Sequence, residues 1–285
     1  MNPAPPIRIG ARAHDFGCLP AEQLAAKLAS KDMVCAQLAV GKAIAGLTLR
    51  PGLLNPGLAH EIGAAFRHHG VQIAVLGCYV NPIHPDLATR QSLLGLFKEH
   101  LRYARDFGNG LVALETGSVN ADYLPHPDNH SEAAFQQSLA SIAELVAEAE
   151  KFGVVVGIEA VATHPVSTPQ KMRRMLDAVG SNNLQVVFDA VNLLTLENHC
   201  EQERVIAESL DLFGDRIAII HAKDFIIKNG EFLPVGTGFG MLRHDLVMKF
   251  AVQQKPGISI LLEGTSPEAA PASREFLLRA AAQVA

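Results

Sequence analysis

The 285-residue sequence predicts an α/β protein, a single-domain (β/α)8 barrel (TIM barrel) over residues 1–285. Three observations carry that expectation. Eight short apolar runs alternate with eight longer amphipathic stretches. Most of the runs are apolar at nearly every position, as parallel strands covered on both faces require. No glycine-rich dinucleotide fingerprint follows the first run, which counts against a doubly wound open sheet.

The elements follow in order. MNPAPPIRIG reads as a short extended lead-in to a first strand at Ile7–Ala11, without the charged-then-apolar layout of a secretion signal. Pro20–Ser30 sets Leu24, Ala25 and Leu28 on one helical face. The second strand, Met33–Val40, leads through a helix at Pro56–His69 to the third strand, Val71–Gly77. Asp86–Phe107 places Leu87, Leu94, Phe97, Leu101 and Tyr103 near a 3.6-residue period, and Leu111–Thr116 is the fourth strand. Ser131–Phe152 runs through Phe135, Leu139, Ile142, Leu145 and Val146 before the fifth strand, Val154–Glu159. Thr168-Pro169, a capping hydroxyl followed by proline in the first turn, opens a helix to Val179. The remaining strands are Leu184–Asp189, Arg216–His221 and Ile258–Glu263, alternating with helices at Glu201–Phe213, Leu242–Gln254 and Pro271–Val284. No linker rich in Gly, Ser or Pro divides the chain, so one domain is expected.

Composition narrows the function classes. Hydrophobic residues make up 48% and charged residues 19%, enough for a large core. A net charge of −5 and a pI near 6.2, with no basic run, argue against a nucleic-acid partner or a membrane surface. No apolar window is long enough to span a bilayer. Cys18, Cys35, Cys78 and Cys200 are scattered without a CxxC pair, which fits reduced thiols and a cytoplasmic location.

The chemistry lies in the last four strands. Each ends in a ligand-type side chain: Glu159, Asp189, His221 and Glu263. In a (β/α)8 barrel the C-terminal strand ends open onto one face, and consecutive strands are neighbours, so these residues should converge. Three carboxylates brought together repel one another unless a cation holds them. Three hard oxygen ligands with one imidazole suit Mn²⁺, Mg²⁺ or Co²⁺ better than a metal that prefers thiolates.

On these residues the sequence resembles the xylose-isomerase-like sugar phosphate isomerase/epimerase family, to which the tagatose and psicose epimerases are related. The resemblance covers essentially the whole chain. It rests on Gly157-Ile158-Glu159, the run from Phe188 to Leu193, His221-Ala222-Lys223-Asp224, the loop Gly236–Gly240 and Leu262-Glu263-Gly264. It implies one divalent ion, manganese first with magnesium, cobalt or zinc admissible, held by Glu159, Asp189, His221 and Glu263. It also implies acid/base roles for Glu159 and Glu263 in carbohydrate metabolism. The implied reaction is isomerisation or epimerisation of a sugar or sugar derivative, by proton abstraction beside a carbonyl with the ion stabilising an enediolate. Asn192 stands where three-metal nuclease relatives and the ketohexose epimerases carry histidine, which argues against a DNA-repair nuclease. A metal-dependent lyase, dehydratase or C-glycoside-cleaving enzyme would use the same first step. A non-catalytic sugar-binding barrel is a third class, against which the four intact ligands stand. Pairing into a homo-oligomer is also what the resemblance implies.

The other strand ends offer hydrogen-bonding groups for a small-molecule substrate: Gln37 in the second strand, Tyr79, Asn81 and His84 after the third, Glu115 ending the fourth and His164 after the fifth. His14 is a further candidate after the first strand. Asn192 and Lys223, beside ligand positions, complete the expected substrate contacts. The polar stretch Asn120–Asn129 reads as a lid, and Gly236–Gly240 as a flexible connection.

Overall fold

The computed structural model describes residues 7–284; the proline-containing lead-in expected at residues 1–6 lies outside them. Eight parallel strands close into a barrel. Seven of them are β1 (Ile7–Arg12), β2 (Cys35–Leu38), β3 (Gln72–Gly77), β4 (Leu111–Glu115), β5 (Val155–Glu159), β6 (Leu184–Asp189) and β7 (Ile217–Ala222). An antiparallel hairpin follows, β8 (Asp224–Lys228) with β9 (Glu231–Val235), before the last barrel strand, β10 (Ile258–Leu262). The ring runs β1-β10-β7-β6-β5-β4-β3-β2, so β10 and β1 pair to close it.

The helices are α1 (Ala21–Ala29), the short α2 (Val40–Ala43), α3 (Pro56–His68), α4 (Leu87–Tyr103), α5 (Glu132–Phe152), α6 (Pro169–Val179), α7 (Gln202–Phe213), α8 (His244–Gln254) and α9 (Ala270–Val284). Several starts are fixed by caps visible in the sequence. Asn55, Asp86, Ser131 and Thr168 each accept a hydrogen bond from the backbone N–H three residues on. Two expected elements stop more than one residue earlier than the sequence suggests. Val40 opens α2 instead of ending β2, and α4 stops at Tyr103, with residues 104–107 in turns.

Alternation along the strands makes two cores. Outward residues such as Ile9, Ala36, Leu76, Leu114, Ile158 and Ile220 pack against the helices. Inward residues Cys35, Val75, Leu111, Ala113, Val187, Ile219 and Leu261 fill the barrel as an apolar plug. Burying a Val, Leu or Ile of this kind stabilises the fold by roughly 2 kcal/mol relative to exposure. Because inward positions recur every second residue, the next inward layer toward the C-terminal end is Gln37, Gly77, Glu115, Glu159, Asp189, His221 and Glu263. The apolar plug is therefore a floor, and the polar residues stand directly above it.

The hairpin was not expected. It turns at Asn229-Gly230, both at positive φ (54° and 78°), the dipeptide that two-residue hairpin turns favour. All four cysteines are free, Cys35 and Cys78 buried and Cys18 and Cys200 exposed. No helix among the described residues is long and apolar enough to cross a membrane.

Candidate metal centre

Glu159, Asp189, His221 and Glu263 each direct one ligand atom into a common space, all within 4.8 Å of one another. β6 and β7 place Asp189 directly opposite His221, while Glu159 ends the adjacent β5. Glu263 lies one residue past β10, where its backbone N–H donates to Ala222 O at 2.9 Å. Glu159, Asp189 and His221 are buried, at 2%, 2% and 3% exposure. His221 Nδ1 faces both glutamates, 3.4 Å from Glu159 Oε1 and 3.1 Å from Glu263 Oε2.

These acids need positive charge, and the protein brings some of it. Lys223 Nζ donates to Asn192 Oδ1 at 2.7 Å and to Glu263 Oε1 at 3.0 Å, and stands 3.3 Å from Asp189 Oδ2. Arg12 Nη1 reaches Glu263 Oε1 at 3.0 Å while its other nitrogens are held by Asp15. Burial alone would lower the His221 pKa, but Glu159 and Glu263 outweigh it and raise it to about 10. Burial would likewise raise the Glu263 carboxyl, yet His221, Lys223 and Arg12 hold it well below the usual carboxylate range. Asp189 moves the other way, raised by burial, with Lys223 opposing and the two glutamates adding to the rise.

The donor set fits a divalent ion. Asp189 Oδ2 is buried and accepts no hydrogen bond among the described residues; its approach to Lys223 is a contact of charge without hydrogen-bond alignment. His221 Nδ1 points at the carboxylates, where an ion would take its lone pair in place of a proton. Lys223 and Arg12 supply part of the positive charge that the acids need, and an ion in place of the His221 proton would supply the rest.

Beside this group lies a cavity of about 250 Å³, lined by Arg12, His14, Gln37, Lys42, Tyr79, Glu115, Tyr123, Glu159 and Glu263. Gln37, Tyr79 and Glu115 thus reach the space where the sequence placed them. Glu115 ends β4 opposite Glu159, and burial, reinforced by Glu159 and Glu263, raises its pKa to about 7. His164 Nδ1 is 3.7 Å from Glu115 Oε2. The two do not form an ion pair at neutral pH, because burial lowers the His164 pKa to about 4. His164 instead packs its ring against Tyr123, centroids 5.3 Å apart, behind the cavity wall.

Asn192 and Lys223 bind the acids. Asn192 Nδ2 donates to Glu159 Oε1 at 2.6 Å while its Oδ1 accepts from Lys223. Asn81 and His84, also read from the sequence as substrate contacts, do not line this cavity. Asn81 is buried and away from the cavity, its amide tied to Ser118, Asn120 and Ile83. His84 Nδ1 accepts from the Asp86 N–H in the loop before α4. Their loop has hydrogen-bonding capacity, but uses it to brace itself.

The glycine loop also differs from expectation. Asp224 accepts from the backbone N–H of Phe225, Gly238, Gly240 and Leu242, and lies 3.3 Å from His244 Nε2. A Cβ on Gly240 would stand 2.3 Å from Phe225 O and 2.4 Å from Asp224 Oδ1. The loop is clamped on one buried carboxylate, so a free connection is not what the sequence builds here. In Asn120–Asn129, Asn129 ties Val119 and Thr163 together, while Tyr123, at φ +63°, turns its ring to the cavity. Arg12, Lys42 and Tyr123 were missed from sequence. Only Arg12 had a signal, lying two residues past the inward Gly10.

The family model described as xylose isomerase-like TIM barrel matches residues 42–280. Among solved structures, a xylose isomerase-like TIM barrel protein from Mycobacterium smegmatis in complex with magnesium is 15% identical, with a TM-score of 0.73 over 98% of each chain. D-psicose 3-epimerase with D-tagatose, from Clostridium cellulolyticum H10, is 14% identical with a TM-score of 0.65, covering 97% of this chain and 96% of that one. An IOLI protein with a bound zinc atom is 16% identical with a TM-score of 0.67, covering 98% and 95%. At such identities these likenesses show the fold alone. No curated protein matches the chain.

Proposed function

The chain belongs to the xylose isomerase-like TIM barrel family, and from that premise we propose that it is a metal-dependent isomerase or epimerase of a small sugar or sugar derivative. The observation that carries this reading is the convergence of Glu159, Asp189, His221 and Glu263 within 4.8 Å beside a cavity of about 250 Å³. These four would hold one divalent ion. Manganese is preferred from the hard oxygen-rich donor set, and the magnesium and zinc in two relatives of this fold keep those ions as alternatives. Bound there, the ion supplies Lewis acidity toward a carbonyl oxygen and its neighbouring hydroxyl.

The protein's own groups handle the proton. Glu159 and Glu263 both line the cavity, from strands that are not adjacent, so each is placed to exchange a proton with a substrate carbon held there. Glu263 is kept ionised by His221, Lys223 and Arg12, whose positive charge also lowers its basicity. Asn192 holds Glu159 Oε1 in place. Return of a proton to the opposite face of the same carbon epimerises it, and return to the neighbouring carbon isomerises the chain. Tyr79 and Glu115 line the substrate space, Asn192 and Lys223 hold Glu159 and Glu263, and Gln37 joins Tyr79 to His221. A cytoplasmic location and a small-molecule partner belong to the same reading.

One observation favours a second reading, elimination of a hydroxyl after the same proton abstraction. Glu115, with a pKa of about 7 in the cavity wall, carries a proton that a leaving hydroxyl requires. Exchange in D₂O with Mn²⁺, across free and phosphorylated ketoses, tests both. Solvent deuterium in recovered ketose without loss of water supports isomerisation, and a dehydrated product supports elimination. No exchange with any ketose, despite bound metal, overturns the isomerase reading.

A further inference from the structure

Gln37 is the one uncharged long side chain in the polar layer above the apolar plug, and both of its polar ends are taken by protein. β2 shifts register against β3 between Ala36 and Gln37, an irregularity that re-aims a side chain at a barrel rim. Gln37 is 1% exposed. Its Oε1 lies 2.7 Å from His221 Nε2, and its Nε2 donates to Tyr79 Oη at 2.9 Å.

Chemistry fixes the direction of this amide. His221 Nδ1 faces Glu159 and Glu263, so an imidazole that offers Nδ1 to a cation carries its proton on Nε2. That N–H needs an acceptor, and of the two ends of the amide only Oε1 is one. The remaining NH₂ needs an acceptor in turn, which the Tyr79 hydroxyl provides. The Tyr79 ring has room to stand there because residue 77 is glycine. A Cβ on Gly77 would lie 2.8 Å from the ring and 3.4 Å from Gln37 Nε2.

We propose that Gln37 is a positioning residue that holds His221 in the tautomer with its proton on Nε2, and that Tyr79, seated over Gly77, anchors the other end of the amide. This rests on the assignment of Glu159, Asp189, His221 and Glu263 to a divalent ion. It gives Gln37 a role beyond the substrate contact expected from sequence, because Oε1 faces His221 and Nε2 donates to Tyr79. A carbonyl oxygen on the far nitrogen of a ligand imidazole fixes the ring and raises its basicity, and loss of such a partner typically weakens metal binding about 10- to 100-fold.

Zinc titration of the full chain, with the His221 ring followed by ¹⁵N and ¹H NMR, tests the proposal. The wild-type ring is expected to bind through Nδ1 and to show a slowly exchanging Nε2–H. Gln37→Leu, apolar and of similar size, should lose that proton signal and weaken zinc roughly tenfold or more. Gln37→Glu restores an acceptor and should return both the signal and the affinity toward wild type. Gly77→Ala displaces the Tyr79 ring and should give a smaller loss in the same direction, which keeps the test available if the leucine variant does not fold. Zinc affinity and Nε2–H unchanged in the folded Gln37→Leu variant, or in Gly77→Ala if that variant must stand in, overturn the role of Gln37 and leave the metal site standing. Zinc that does not perturb the wild-type His221 ring overturns the metal assignment itself, and the Gln37 proposal with it.

Discussion

In the half of the rim formed by β5, β6, β7 and β10, the residue standing above the apolar plug is in every case one that can hold a cation: Glu159, Asp189, His221 and Glu263. In the half formed by β1 to β4, the same layer holds Arg12, Gln37, Gly77 and Glu115. These pair with Glu263, orient His221, leave space for Tyr79 and line the cavity. The two halves share one backbone pattern and differ only in what stands at equivalent positions. A barrel of this kind thus separates the groups that gather charge from the groups that shape and brace the space beside them.

The sharpest way to break the comparison is to remove function from the first half alone. Glu159→Gln and Glu263→Gln should each lower the rate of substrate–solvent deuterium exchange by roughly 10³-fold. Glu115→Gln, on the other half, should lower it far less. Equal losses from all three would erase the distinction.

Lys223→Met removes a cation from among Asp189 and Glu263, so the metal-free protein should lose about 3 kcal/mol of stability in urea unfolding. Saturating Mn²⁺ should recover much of it, because the ion replaces the missing charge. An equal loss with and without metal would mean that Lys223 serves packing alone.

Glu115 gives the third test, by pH. Its carboxyl rises from an ordinary 4.5 to about 7 in the fold, so the folded state binds this proton more tightly than the unfolded one. Its contribution therefore turns unfavourable as pH rises from about 4.5, and the penalty is complete above about 7. Its side chain is 25% exposed, which reduces the effect to about 2 kcal/mol. Metal-free Glu115→Gln should gain on wild type by that amount between about pH 5 and 8, whereas parallel stability curves would contradict the shift. His164, lowered to about 4, works in the opposite sense by losing stability as pH falls below about 6.5, and it cancels in the difference.

The smallest effect is expected at the glycine loop. Gly240→Ala should cost about 1–2 kcal/mol, by displacing backbone N–H donors from Asp224. Thermal unfolding with no measurable change would show that the clamp is loose.

The half that brings the four candidate ligands together was the legible half. Its strands are long apolar runs, and a charged or imidazole side chain closing each run stands out against them. β1 concealed its rim residue for the same reason, and β2 showed Gln37 without its link to His221. Arg12 follows an apolar run that reads as ending at Ala11, and Gln37 sits inside one. Tyr123 reaches the cavity through a backbone at φ +63°, fixed by the surrounding loop and not by any local pattern. Asn81 and His84 show the limit of composition, which reveals hydrogen-bonding capacity and not its direction. The β8–β9 hairpin had its signal in Asn229-Gly230 between Phe225-Ile226-Ile227 and Phe232-Leu233, hidden behind the adjoining ligand strand.

The central claim is tested most directly by titrating the protein with Mn²⁺ and counting bound ions by electron paramagnetic resonance. One ion per chain is predicted for the wild type, with binding lost in both Asp189→Asn and His221→Ala. A wild-type chain that binds no ion, or one whose binding survives both substitutions, would contradict the assignment of these strand ends to a single metal centre.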